Sequence, residues 1–115
     1  MSKNYLLVYS EQLATDIEFL CKNINAPSNT VFQIRKSSSS VYANIREANY
    51  GQSKADFISK MHIALKETAE TEYWIKLLNM SEYIDDKMSE SLLDDCLEIK
   101  RILIASINTA KENNK

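Results

Sequence analysis

The sequence predicts an all-α protein, and three observations lead there. One glycine and one proline occur among 115 residues, so the positive-φ turns that hairpin-rich sheets and barrels need are scarce, and long helices with few connections are favoured. Apolar side chains recur three and four residues apart through most of the chain, which is the period of a helix burying one stripe. Hydrophobic residues make up 44% and charged residues 26%, too apolar for a disordered chain and ordinary for a folded one. At this length a single domain, residues 1–115, with one modest core is expected.

The first helix is predicted from about Asn4 to Asn25, with Leu13, Ile17, Leu20 and Ile24 as its inward stripe. Pro27 ends it, and Ser28, Asn29 and Thr30 are candidate N-caps for the second helix. That helix turns Ile34, Ser38, Val41, Ile45 and Ala48 inward, along a stripe passing straight through the serines Ser37 to Ser40. Serine is a weak helix former and such a run often marks a linker, yet the apolar period stays in phase on both sides, so helix is predicted. Small side chains there would let a neighbouring helix approach closely.

Gly51 supplies the next break, and Ser53 followed by Asp56 resembles a capping box opening the third helix. Its apolar positions are Phe57, Met61, Ala64, Leu65, Thr68, Ile75 and Leu78. Asp56 with Lys60, Lys66 with Glu70 and Glu72 with Lys76 stand four apart, a spacing that predicts exposed ion pairs of ~0.3 kcal/mol each. The fourth helix is predicted to begin between Asp85 and Ser91 and to run to about Glu112. Leu92, Cys96, Ile99, Leu103 and Ala110 form one stripe, and Leu93, Leu97, Ile104 and Ile107 a second. A two-striped helix has more to bury than a lone four-helix bundle requires, which points to packing against another subunit.

The residue chemistry excludes more than it assigns. A di-metal carboxylate site in a helical bundle needs Glu-x-x-His on two helices, whereas His62 is the one histidine and Ser59 stands three before it. His62 therefore reads as a surface or boundary residue. Phosphate-binding loops need several glycines and nucleophile elbows need a Gly-x-Ser-x-Gly, and neither is present. No enzyme and no cofactor are expected. The apolar run Tyr5–Tyr9 is interrupted by Glu11 and Asp16 well short of membrane-spanning length, so a cytoplasmic protein without a membrane partner is expected. Cys21 and Cys96 lack metal or redox spacing and read as buried free thiols rather than a disulfide.

Several short segments in fixed order carry a family resemblance. They are Ser39 to Ile45, ending Ala43-Asn44-Ile45; Glu47-Ala48; Ser53; Asp56-Phe57-Ile58 with Lys60; Ile63-Ala64-Leu65-Lys66-Glu67; Glu70-Thr71; and Tyr73-Trp74. The stretch from Gln33 to Leu78 resembles the small proteins encoded by intervening sequences in bacterial 23S ribosomal RNA genes. It is similar, more distantly, to the accessory variability determinants of diversity-generating retroelements, which bind a reverse transcriptase and nucleic acid. The resemblance implies an antiparallel up-and-down four-helix bundle assembling as a cyclic homopentamer. The pattern departs from the commoner family form at Arg46, where many members carry a small residue.

Charge is unevenly placed. From Thr30 to Lys66 six basic residues face two acidic ones, and from Glu67 to Glu98 ten acidic residues face two basic ones, within an overall charge of −2. In an up-and-down bundle Arg46, Lys54, Lys60 and Lys111, with Lys3, would gather at one end as a candidate contact for RNA or another anion, opposite an acidic end. The alternative is that this polarity sets only orientation and solubility. Glu67 and Glu70 share a helical face, and Tyr73 and Trp74 point to different faces; these four are candidate subunit-interface residues, with a solvated rim and core packing as the alternatives. The expected function is a non-catalytic homo-oligomeric scaffold with an RNA or RNA-processing partner; a protein-binding accessory module is the second reading.

Overall fold

The computed structural model describes residues 4–51 and 53–113, and its described residues form four α-helices and no strand. They are α1 (Tyr5–Asn23), α2 (Ser28–Ala48), α3 (Lys54–Met80) and α4 (Asp86–Glu112). Consecutive helices are neighbours joined by short connections, so they run antiparallel. α1 also packs against α4, and the backbones of the diagonal pairs stay apart. The result is an up-and-down bundle with long dimension 49 Å.

Local chemistry sets the helix ends. Asn4 Oδ1 accepts the Leu7 N–H (3.0 Å), Ser53 Oγ the Asp56 N–H (3.0 Å) and Asp85 Oδ1 the Met88 N–H (2.8 Å), each satisfying an orphan donor of the first turn. At α2 the expectation is corrected. Ser28, Asn29 and Thr30 lie inside the first turn, and Pro27 occupies the cap position with no side-chain bond, its ring fixing φ at −55°. α1 stops at Asn23, two residues before the expected end, because Ile24 turns to extended backbone (φ −104°, ψ 150°). Gly51 follows the end of α2 without a positive φ. The space there is tight, since a Cβ would stand 2.9 Å from Asp56 Oδ2, a side-chain end able to swing away, and 3.1 Å from the Ala48 carbonyl. The positive φ lies elsewhere: Glu82, at 66°, closes α3. There the Tyr83 N–H reaches the Leu78 carbonyl and the Glu82 N–H that of Asn79, the paired bonds of a Schellman cap.

The core draws on all four helices, with Leu13, Ile17, Ile34, Ile45, Ile75, Leu78, Ile99 and Leu103 fully buried. The α2–α3 contact is the most extensive and α1–α4 the thinnest. The serine run is helical, and Ser37 and Ser38 are buried, each bonding the carbonyl three residues back. Thr71 Oγ1 lies 2.9 Å from both Ser37 Oγ and the Glu67 carbonyl, a polar bridge inside the α2–α3 contact. Two details of α4 differ from expectation. Ile107 belongs to the core stripe, and Ala110 is only half-buried. Cys96 is buried and Cys21 half-buried, because Cys21 sits near the end of α1 where the core thins; both are free thiols.

Candidate interaction surfaces

The expected i,i+4 ion pairs on α3 are replaced by pairs between helices. Lys60 Nζ lies 3.7 Å from Glu47 Oε1 on α2, and Lys100 Nζ of α4 lies 2.8 Å from Glu72 Oε1. Lys66–Glu70 is not among the ion pairs of the described residues. A partner on an adjacent helix competes well when the backbone already holds both side chains close.

The start of α1, the end of α2, the start of α3 and the end of α4 share one pole, which brings Arg46, Lys54, Lys60 and Lys111 together there. Lys3 lies outside the described residues. Acids share this pole: Glu47 holds Lys60, and Asp56 and Glu112 are on the same turns as Lys60 and Lys111. Arg46 donates to Tyr42 Oη (3.2 Å), which in turn donates to Glu11 Oε2 (3.0 Å), so its guanidinium is tied to a chain crossing to α1. Beside this pole a cleft of about 490 Å³ opens between α1 and α4 over Leu6, Ile45, Phe57, Met61 and Ile102, with the Arg101–Glu98 ion pair at its mouth. The opposite pole carries Glu82, Asp85 and Asp86; Asp85 caps α4 and Asp86 accepts a bond from Asn79 Nδ2 (3.0 Å).

Along α3, Glu67 and Glu70 lie side by side, as their spacing predicts. Partial burial, then the hydrogen bond that the protonated Glu67 carboxyl donates to the neighbouring Glu70 carboxylate and that group's like charge, push the Glu67 carboxyl above the usual carboxylate range. Tyr73 is exposed, whereas Trp74 packs against the core with its Nε1 buried and without a hydrogen-bond partner. The two rings meet edge to face at 4.8 Å. His62 is exposed.

Two apolar faces remain uncovered by the bundle. The first straddles α3 and α4. Leu93, Leu97, Lys100 and Ile104 repeat at helical spacing on α4, beside Leu65, Ala69, Glu72, Lys76 and Met80 on α3, and the Glu72–Lys100 pair bridges the two rows. Leu97 is 61% and Met80 73% exposed. The second runs along the outside of α1 through Tyr5, Val8, Gln12, Asp16 and Phe19, with Phe19 59% exposed. The second stripe of α4 already signalled the first face. The α1 face is also legible as spacing, but Gln12 and Asp16 interrupt it, which hides it from a purely apolar count. Asp16 faces Asp95 across the thin α1–α4 seam; burial, then the charges of Asp16 and Asp94, raise the Asp95 carboxyl above its usual range.

No helix among the described residues is long and apolar enough to cross a membrane. The architecture is that of an all-α four-helix bundle whose unburied features are faces and poles. Residues 6–105 match the family model of the 23S rRNA-intervening sequence protein. The chain belongs to that family. It is 44% identical, with a TM-score of 0.85 over 89% of this chain and 97% of the other, to a crystal structure of a protein with unknown function from the S23 ribosomal protein family of Bacteroides thetaiotaomicron VPI-5482. No curated protein matches it.

Proposed function

We propose that this protein is a non-catalytic scaffold in which bundles assemble into a closed homo-oligomer, a ring of five, that works beside ribosomal RNA or an RNA-processing partner. One observation carries the reading: Leu97, Ile104 and Met80 stand exposed on a continuous α3–α4 face although the core is already complete without them. An exposed apolar face of this kind marks a contact surface. The family's link to 23S rRNA supports an RNA partner, and the pole bearing Arg46, Lys54 and Lys111 supplies the cations for it.

Sedimentation equilibrium at micromolar concentration tests assembly, and a monomer there overturns the scaffold. For the RNA arm, Lys54→Glu with Lys60→Glu is expected to abolish a salt-dependent RNA-binding signal, and an unchanged affinity rejects that pole as the contact. The acids Glu82, Asp85 and Asp86 at the other pole favour a second reading, an accessory module holding a basic protein. Copurification with and without nuclease separates the two.

A further inference from the structure

The two uncovered faces match each other in level and in charge. α1 and α4 run antiparallel with Tyr9 near Arg101 and Asp16 near Asp95. At 1.5 Å rise per residue, Val8 therefore stands level with Ile102 and Leu103, less than a turn from Ile104, and Phe19 stands a turn or so beyond Asp95, toward Leu93. The Glu72–Lys100 pair sets the α3 register in the same way, placing Lys76 level with Cys96 and Met80 level with Leu92. Each face thus has an apolar tier near the Arg46 pole, a charged middle and an apolar tier near the acidic pole. The middle tiers are of opposite sign, with Asp16, Asp94 and Asp95 on the α1 side against Lys76 on the α3–α4 side, where Glu72 and Lys100 neutralise each other and Leu97 adds apolar surface.

We infer that the α3–α4 face of one copy docks side by side on the α1 face of a second copy, Ile104 meeting Val8, and Leu97 with Lys76 meeting the middle tier at Asp16, Asp94 and Asp95. This rests on the homo-oligomer reading and specifies its contact. The contact is head-to-tail, so every copy offers both halves. α1 is beside α4 and diagonal to α3, so the two faces are not back to back and successive copies turn relative to one another. A turn of this kind builds a ring when its rotation closes, as the five-membered reading requires, and an open helix when it does not, whereas back-to-back faces build a straight filament. The three aspartates, which repel one another in the isolated bundle, gain a cation from the neighbour.

Val8→Glu is designed to break the α1 half and Leu97→Glu the α3–α4 half, with circular dichroism as the check that each folds. Sedimentation velocity is expected to show each variant alone as a monomer, with self-association weakened at least tenfold. An equimolar mixture is expected to give a 1:1 dimer that grows no further, because each variant keeps one intact half. Lys76→Glu and Asp94→Lys are each expected to weaken assembly at low salt, and the two together in one chain to restore it. A mixture that stays monomeric, or a Val8→Glu variant that assembles like the wild type, overturns the head-to-tail contact. A monomeric wild type instead overturns the scaffold itself. Should either glutamate variant fail to fold, Val8→Ser and Leu97→Ser serve in its place with the same expected outcomes.

Discussion

Glu82 holds a left-handed conformation that an L side chain adopts at a cost of roughly 1 kcal/mol. Glycine there keeps the Schellman bonds and removes the clash, so Glu82→Gly is expected to stabilise the bundle by about 1 kcal/mol and raise its thermal midpoint by about 4 °C. The buried thiol of Cys96 makes an independent test. Burial, then the nearby carboxylates of Glu72 and Asp95, push it up to about 12 from an ordinary value of 9.0. Its folded pKa is raised and its charged form is the anion, so the unfolded chain ionises first. Stability is therefore lost as pH rises above about 9, by about 1.4 kcal/mol per pH unit. Urea titrations of the wild type and Cys96→Val at a series of alkaline pH values should show a shallower slope for the variant. Within the α2–α3 contact, Thr71→Val leaves Ser37 still bonded to the Ile34 carbonyl, and a loss of about 1 kcal/mol is expected from the missing bridge. Of these three features only the burial of Cys96 was legible, from its place on the inward stripe of α4. A non-glycine αL residue, the carboxylates beside a thiol and a hydroxyl's partner depend on backbone placement that spacing does not specify.

The helices themselves were largely legible. The period carried α2 through Ser37–Ser40 correctly, since phase on either side of a weak segment reports the face that tertiary packing then enforces. Caps were read correctly where a side chain does the capping, at Ser53, and incorrectly where proline does it by geometry, at Pro27. The ion pairs of α3 were misread because spacing along one helix says nothing about an adjacent helix, and Lys100 and Glu47 lay closer. Between elements, the thin α1–α4 seam with its Asp16–Asp95 repulsion contrasts with the broad α2–α3 contact. Native-state hydrogen exchange is accordingly expected to release α1 amides before those of Val41 and Ile45, and equal protection of both would contradict the contrast.

For the whole molecule, the site was less legible than the fold. Sequence placed Arg46, Lys54, Lys60 and Lys111 at one pole through topology alone, but not the tie of Lys60 to Glu47 or that of Arg46 to Tyr42 and Glu11. Of the four α3 interface candidates, Tyr73 is exposed, Trp74 leans on the core, and Glu67 and Glu70 answer mainly each other. The faces that match in level and charge are composed of residues from three helices, and such a composite appears only when register is known.

An even number of alternating rods returns the chain to its starting pole, and Asn4 and Asn113 border adjoining parts of one cleft. Order along the backbone is therefore exchangeable without moving a side chain of the core. A circular permutant, with Asn4 bridged to Asn113 by a short glycine-serine tether and new termini opened between Asn25 and Ala26, should recover the parent's helical spectrum and cooperative melting. Failure to do so would mean that the connection at Ile24–Pro27, and not just the packing of the rods, dictates how the molecule comes together.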